Sequence, residues 1–564
     1  MAILVTAILL ALVGIVLGIG GTQLLMLGGS PYYLIAGIGF LVTAVLLFMR
    51  RQAALVLYAV IVIASLIWAV WEVGLDWWQL GPRGGVIILL GIWLLTPWIR
   101  KPLGFRSPTG ARYAAGATPL AASVAIAILV AIISMFVNST DLDGNLPEEQ
   151  IAAAPDLGGD VPPGEWHQYG RTPYGQRYSP LDQVNVDNVD ELEEVWRYQT
   201  GDVKLPEDVG ETTYQVTPLK IGNSLFICTP HNWAISINAT TGEEQWKYDP
   251  NAGLNPDRQH QTCRGVTYYA DPAAQPNTPC AQRVYLPTSD ARLIALDAAN
   301  GQVCTSFAQN GTLQLEQGMP YNPAGYYYST SPPVIVDGKI IIGGAVNDNY
   351  SVKSPSGVIR AFDVNSGELI WNWDSGNPSQ TAPLPPGQTY SANSPNSWSI
   401  FSVDEDLGLV YIPLGNQVPD QLGMNRSESV EKYASSIVAL DINTGADRWV
   451  RQTVHHDLWD MDVPAQPVLL DLTKPDGTVV PALVGPTKQG DIYVLDRRNG
   501  EPLLPITEQP APGGAIPEDF TAPTQPVTAL TFRPRPLDGR DMWGITMFDQ
   551  MVCRIRLKQL KYEG

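Results

Sequence analysis

One pattern recurs five times between residues 235 and 504 and restricts the folds open to this chain. Each copy is a β-rich run, an Asp or Asn, a tight turn closing on Gly, and a second β-rich run that often carries Trp. The copies read ISINATTGEEQWKY (Ile235 to Tyr248), LIALDAANGQVCTSF (Leu293 to Phe307), IRAFDVNSGELIWNW (Ile359 to Trp373), IVALDINTGADRWVR (Ile437 to Arg451) and IYVLDRRNGEPLL (Ile492 to Leu504). Gly at the turn supplies the positive φ that a hairpin needs. The turn glycines, Gly242, Gly301, Gly367, Gly445 and Gly500, lie 55 to 78 residues apart, so each unit holds several strands. One small sheet per unit, repeated, is the pattern of an all-β propeller. Trp246, Trp371 and Trp449 then pack sheet on sheet and receive no chemical role.

A different kind of sequence precedes the repeats. Five apolar runs, near Ile3 to Met26, Tyr32 to Met49, Ala53 to Trp71, Gly85 to Trp98 and Leu120 to Val137, each suit a membrane-crossing helix of about 20 residues. The first is too long, and too free of flanking charge, for a cleavable signal peptide. Arg50 and Arg51 follow the second run, and Arg100, Lys101, Arg106 and Arg112 lie between the fourth and fifth. The Glu72 to Gly85 loop carries two acids, one Arg and two interfacial tryptophans. By the positive-inside rule the N-terminus is cytoplasmic, and five spans place residues after 140 outside, in the periplasm of a Gram-negative cell. The expected organisation is a transmembrane helical domain (1–140), an acidic Pro- and Gly-rich linker (141–165) and a sheet domain (166–564). One helix is enough for an anchor, so five spans suggest a second task, such as a site for a lipophilic partner.

Charge excludes one class of partner. Residues 1–140 hold seven Lys or Arg and two acids; the rest carries 28 basic and 53 acidic residues, a net −25. Phosphates would be repelled, so nucleic acid is not the ligand. Five cysteines, Cys228, Cys263, Cys280, Cys304 and Cys553, all follow the membrane part. The oxidising side permits disulfides, and an odd count leaves one thiol over. Cys263 with Cys280 is the expected pair.

The densest polar stretch is TVHHDLWDMD (Thr453 to Asp462), with two of the five histidines side by side and three acids, Asp457, Asp460 and Asp462. Buried polar groups need partners or water, and functional residues concentrate on such loops. Asp and His also satisfy turn backbone, so a catalytic or metal-binding role and a structural one both fit.

These features together resemble the membrane-bound quinoprotein glucose dehydrogenases, which use pyrroloquinoline quinone (PQQ). The resemblance runs the length of the chain and is most specific in WHQYGRTPYGQRYSPL (Trp166 to Leu181), TPHNW (Thr229 to Trp233), TCRGV (Thr262 to Val266), STSPP (Ser329 to Pro333), NDN (Asn347 to Asn349), NSPNSW (Asn393 to Trp398), TVHHDLWDMD, TKQGDIYVLDRRNGE (Thr487 to Glu501) and DMWGITMFDQ (Asp541 to Gln550). It implies an eight-bladed propeller of which this chain, ending at KYEG, supplies five recognisable repeats, so that either the sequence is a fragment or early-terminated reading frame or the remaining blades come from elsewhere.

The resemblance also implies a site. Arg264 and Lys488 meet the carboxylates or a quinone oxygen of PQQ, Trp398 stacks beneath its ring, His231 covers the other face, and Thr330 and Ser331 bond a cofactor carboxylate. Asp348, Asn349, Asn396 and Asp457 would hold Ca²⁺ or Mg²⁺, hard cations that take oxygen ligands. Asp457 would be the general base for glucose or a related sugar. His455 and His456 would orient the loop or line the substrate pocket. Electrons would pass to ubiquinone in the surrounding membrane lipid of the bacterial inner membrane. Quinate or shikimate dehydrogenase is the alternative enzyme, and a non-catalytic propeller scaffold the alternative from another class.

Overall fold

The computed structural model describes residues 1–103, 117–137, 161–208, 210–275, 277–474, 476–560 and 562, with backbone only at 105–106 and 112–113. Most of the expected linker (141–160) and the side chains of Arg106 and Arg112 lie outside the described residues. The chain divides into two compact units, Met1–Gln150 with Pro534–Gly564, and Ile151–Arg533. The final stretch therefore packs with the helices, whereas the sequence boundaries assign all of 166–564 to the sheets.

The helical unit comprises α1 (Ala2–Met26), α2 (Tyr32–Phe48), α3 (Ala53–Val73), α4 (Trp77–Leu94), α5 (Pro97–Leu103) and α6 (Ala117–Ser134). By length and composition α1, α3 and α6 can cross a membrane, and α4 with α5, bent by 60°, makes a fourth if the pair counts as one span. At 17 residues, α2 sits at the lower limit for a span. Helix α4 begins at Trp77, earlier than its apolar run, because the Asp76 carboxylate caps it by accepting from the N–H groups of Trp78 (3.0 Å) and Gln79 (3.2 Å). It ends before Pro97, whose ring cannot continue the hydrogen-bond ladder. Helices α1 and α2 approach closely at Gly14, Gly21 and Gly37, where an added Cβ would meet backbone of the other helix within 3.0 Å.

Four antiparallel four-stranded sheets follow in chain order. The first joins Leu219–Ile221, Ser224–Cys228, Ala234–Asn238 and Glu244–Tyr248; the second joins Thr267–Ala270, Gln282–Pro287, Arg292–Asp297 and Thr312–Gln314. The third joins Val334–Val336, Lys339–Ile342, Ile359–Asp363 and Leu369–Trp373, and the fourth Ser402–Asp404, Leu409–Pro413, Ser436–Asp441 and Asp447–Gln452. A fifth sheet has three strands, Val468–Thr473, Val479–Pro486 and Ile492–Asp496. A short helix, α7 (Glu428–Tyr433), interrupts the fourth sheet's connection.

Consecutive sheets share cores, as a propeller requires: Val284 and Ile294 of the second meet Phe226 and Ala234 of the first, and Tyr411 and Ala439 of the fourth meet Leu469 and Leu483 of the fifth. Trp166 pairs with Lys220 on the first sheet, and a few residues later the carbonyls of Pro173 and Tyr174 accept from Val403 and Leu469 of the fourth and fifth. That polar segment is thus a strap across the sheets.

Each repeat turn has the same chemistry. The Asp441 side chain accepts from the backbone of Asn443 and Thr444 (both 2.9 Å), Gly445 N–H donates to the Asp441 carbonyl (2.9 Å), and φ at the five turn glycines lies between 69° and 74°. The expected Cys263–Cys280 pair does not form. Cys263 bonds Cys228 and Cys280 bonds Cys304, leaving Cys553 of α8 (Met547–Gln559) free. The register explains why: Thr267 faces Tyr285 while Ala270 faces Gln282, so Cys263 and Cys280 lie at opposite ends of one hairpin.

The indole of Trp371 occupies the space where a Cβ on Gly445 would lie, 2.5 Å away, and φ there is +69°. Gly445→Ala is expected to destabilise the sheet unit by about 2 kcal/mol, from backbone strain and a displaced ring together. Denaturant unfolding checks this; a loss of a few tenths of a kcal/mol would show that the ring moves freely aside.

Candidate functional site

Loops that lead into successive sheets bring one polar residue each to a common point. Arg264 precedes the second sheet, Ser331 the third, Trp398 the fourth and Asp462 the fifth. Arg264 Nη1 donates to Ser331 Oγ and to the Trp398 carbonyl, each at 3.3 Å; Ser331 Oγ (2.6 Å) and Thr330 Oγ1 (3.1 Å) donate to that same carbonyl. Trp398 Nε1 donates to Asp462 Oδ2 at 3.0 Å. Lys488, in the fifth sheet's second hairpin, donates to Asp462 Oδ2 (3.3 Å) and Asp460 Oδ1 (2.9 Å). The Cys228–Cys263 disulfide fixes the residue just before Arg264 to the first sheet.

Arg264, Thr330, Trp398, Asp460, Asp462 and Lys488 line a cavity of about 270 Å³. Two cations flank one indole, with Arg264 Cζ 5.3 Å and Lys488 Nζ 6.0 Å from the Trp398 ring centroid. Burial pulls the Arg264 guanidinium below its ordinary value, a mark of a cation short of solvent. Lys488 is held above its ordinary value: burial opposes this, but Asp462 and Asp460 outweigh it.

Acids line the same cavity. Carboxylate oxygens of Asp348, Asp420 and Asp460 all lie within 4.8 Å of one another. Asp420 is 4% exposed, and its carboxyl is pushed up to about 9, first by burial and then by repulsion from Asp462, Asp348 and Asp460. Asn396 lines the same cavity. Three carboxylates and an amide make an all-oxygen donor set of the kind a hard divalent cation takes. The flat indole and the two flanking cations likewise fit a planar, polycarboxylated ring.

Asp457 is elsewhere. It is fully buried, and both carboxylate oxygens are taken: Oδ1 accepts from Trp459 N (2.8 Å), and Oδ2 from Met461 N (2.7 Å) and Ser435 Oγ (2.6 Å). It holds the loop in shape, and it neither lines the cavity nor joins the acid cluster, contrary to the base and ligand roles assigned from sequence. Asp460, three residues on, faces the cavity with its backbone at φ +60°, a conformation rare outside Gly. Burial, then Asp462, raises its carboxyl while Lys488 counters.

The remaining assignments divide. Arg264, Thr330, Trp398, Lys488, Asp348 and Asn396 line the cavity; Ser331 stands behind Trp398, and Asn349 reaches in only through a 3.5 Å contact to Asp420. His231 is absent from the lining, held between Asp202 and Asp208. His455 and His456 are also loop supports, the first bonded to Gln452 and Glu508, the second to Glu431 and Asp519. Asp420, Asp460 and Asp462 were not assigned from sequence. The last two lay within the polar loop already singled out; Asp420 sits in no motif.

Residues 166–564 match the PQQ family described as "Glucose/ethanol/alcohol dehydrogenase, beta-propeller domain". The quinoprotein glucose dehydrogenase of Gluconobacter oxydans (strain 621H) is 45% identical over 571 residues, covering 100% of this chain and 70% of that protein. The quinoprotein glucose dehydrogenase of Escherichia coli (strain K12) is 45% identical over 569 residues, 99% of this chain and 70% of its own length. The quinate/shikimate dehydrogenase (quinone) of Acinetobacter baylyi (strain ATCC 33305 / BD413 / ADP1) is 37% identical over 568 residues, 97% of this chain and 68% of that one.

His231 gives a pH signature. Burial works against its charge, but hydrogen bonds and charge from Asp202 and Asp208 prevail and hold it above the ordinary histidine value. A raised folded-state value stabilises fully below the unfolded value of about 6.5 and loses that contribution as pH rises through the folded one. The gap in Tm between wild type and His231→Gln is therefore expected to be widest near about pH 5.5 and to narrow toward about pH 9. A gap independent of pH would mean that the pair is held by packing alone.

Proposed function

The chain belongs to the glucose/ethanol/alcohol dehydrogenase β-propeller family that works with PQQ, and from that premise we propose that it oxidises an aldose, D-glucose foremost, at C1 to the lactone. The reaction takes place on the periplasmic face of a bacterial inner membrane, with ubiquinone as electron acceptor. The observation that carries this reading is the meeting of two cations, one indole face and a three-carboxylate cluster in a single cavity. Arg50 and Arg51 at the α2–α3 junction, with no Lys or Arg between Val73 and Asp76 at the other end of α3, support the orientation.

When bound, PQQ would supply an ortho-quinone as the two-electron acceptor for the sugar, and Ca²⁺ or Mg²⁺ would supply Lewis acidity beside it. Arg264 and Lys488 would bind its carboxylate and quinone oxygens, and Trp398, its indole N–H tethered by Asp462, would present the stacking face. Asp348, Asp420 and Asn396 would hold the cation. Asp460 takes the proton from the anomeric hydroxyl. It lines the cavity, where burial and then Asp462 raise its carboxyl and the hydrogen bond from Lys488 opposes them. Asp457 positions it by fixing the loop between them.

Oxidation of quinate or shikimate is the second reading, favoured by the 37% identity to an enzyme of that name over nearly the whole chain. With PQQ and Ca²⁺ or Mg²⁺ supplied, dye reduction is expected with glucose and not with quinate; the reverse moves the assignment to the quinate branch. Failure to bind PQQ, with no turnover of either, leaves a scaffold.

Asp460→Asn is expected to lower kcat by about 10²–10⁴-fold while PQQ still binds, and Asp457→Asn to lower Tm. Unchanged Tm with a kcat loss at Asp457→Asn would return the base role to that residue.

A further inference from the structure

Asp348 comes to the acid cluster in the grip of a residue from another repeat. Gln259, half-buried on the cavity lining and 89 residues away in the chain, accepts from the Asp348 N–H through Oε1 at 3.0 Å. Its Nε2 donates to Asp348 Oδ1 and, at 3.3 Å, to the Asp348 carbonyl. One amide thus holds both the backbone and the carboxylate of the same residue. Its partners allow a single orientation, since a flipped amide would set N–H against N–H and oxygen against carboxylate. The flanking chain is tied as well. Gln259 N–H donates to Asn347 Oδ1 at 3.4 Å, Asn347 Nδ2 donates to the Asp257 carbonyl, and Cys263, four residues on, is bonded to Cys228.

Such a grip matters in a cluster that repels itself. The terminal torsion of an Asp side chain is soft, and Asp420 and Asp460, with carboxylate oxygens within 4.8 Å of those of Asp348, push its carboxylate to turn away. Two bonds to one planar amide oppose that rotation. The donor is also neutral, so it satisfies Oδ1 without cancelling the charge that a cation needs. The guanidinium next to it in the chain is held off: Arg258, buried, donates instead to Gln261 Oε1 and, at 3.0 Å, to the Gly253 carbonyl. Neighbouring residues therefore offer Asp348 an amide and keep a charge from it.

We propose that Gln259 is a positioning residue for divalent-cation binding, aligning the Asp348 carboxylate within the cluster while leaving its negative charge intact. The inference rests on the reading above, in which Asp348 holds Ca²⁺ or Mg²⁺, and adds what sets the affinity. Hydrogen-bond partners that orient metal-ligating groups are worth about 10- to 100-fold in metal affinity. A positive side chain in the place of Gln259 would orient Asp348 too, but it would compete with the cation for the same charge.

The test is Ca²⁺ binding by the full chain in detergent, read by competition with Tb³⁺ whose luminescence is excited through tryptophan; Trp398 lines the same cavity. Gln259→Met keeps the length of the side chain, removes its bonds to Asp348, and is expected to weaken Ca²⁺ binding by about 10- to 100-fold. Gln259→Lys is expected to weaken it at least as much. Gln261→Met is the control, because Gln261 supports the same segment through Arg258 without touching Asp348, and it is expected to bind Ca²⁺ as wild type does. Equal losses in Gln259→Met and Gln261→Met, or wild-type affinity in both Gln259 variants, would overturn the proposal. Asp348→Asn separates it from the reading it rests on. Weak binding there, with wild-type affinity in Gln259→Met, removes the positioning role and leaves the cation on Asp348; unaltered binding in Asp348→Asn overturns both.

Discussion

The sheet unit depends on one contact made repeatedly: an indole laid over the turn glycine of the following repeat. Trp196 covers Gly242, Trp246 covers Gly301, Trp371 covers Gly445 and Trp449 covers Gly500, each leaving 2.5 to 2.6 Å to the place a Cβ would take. The same rings donate across the seam. Trp246 Nε1 reaches the Ala298 carbonyl at 3.0 Å, Trp371 the Ile442 carbonyl at 2.8 Å and Trp449 the Arg497 carbonyl at 3.1 Å. An indole buries a large apolar face and satisfies its single donor in one geometry. Each seam therefore has a fixed offset, which apolar packing alone would leave free to slide. At Gly367 the contact is with Ala308, because the second repeat carries no Trp at that position, and the aromatic weight there shifts to Phe307 and Tyr285.

Fixed seams explain how distant residues form one site. Arg264 and Ser331 are separated by 67 residues, Ser331 and Trp398 by 67, and Trp398 and Asp462 by 64, and each consecutive pair is hydrogen-bonded. Every step is about one repeat. The site is a polar ring threaded through the segments that lead into the first strands, while the Trp–Gly seams run along the opposite, last-strand side of the same sheets. Seam residues and site residues thus lie on different segments of each sheet.

The repeats were legible because they rest on local chemistry. An Asp or Asn accepting from the turn backbone, and a Gly at positive φ, are dictated by residues next to one another. The choice among Asp457, Asp460 and Asp462 was not local in this sense. All three sit in one polar loop, and the deciding facts are that Ser435 and the Trp459 and Met461 amides claim Asp457, whereas Lys488 claims Asp460. Asp420 carried no signal at all; its importance arises only when Asp348 and Asp460 arrive from other loops. The disulfides failed for a related reason, since proximity along the chain says nothing of which end of a hairpin a cysteine occupies. Pro534 to Gly564 followed no repeat, and its place beside the helices is set by long-range pairs such as Tyr33 OH to Gln550 Oε1 at 2.9 Å.

The site is also where the fold accepts unfavourable local terms. His456 at φ +44°, Asn349 at +53° and Asp460 at +60° all lie around it, each without the freedom of glycine. Asp348, Asp420 and Asp460 crowd together, and the Asp420 carboxyl is pushed up to about 9, first by burial and then by repulsion from Asp462, Asp348 and Asp460. Lys488 offsets part of this through Asp460 and Asp462, while Arg264 is committed to Ser331 and Trp398. Local strain and repulsion of this kind persist only where the surrounding packing over-determines the backbone, and here that packing is the stack of Trp–Gly seams. A divalent cation bound between Asp348 and Asp420 would convert the largest of these unfavourable terms into a favourable one. The packed sheets keep the carboxylates of Asp348, Asp420 and Asp460 within 4.8 Å of one another in spite of their repulsion, and a divalent cation there would offset that repulsion.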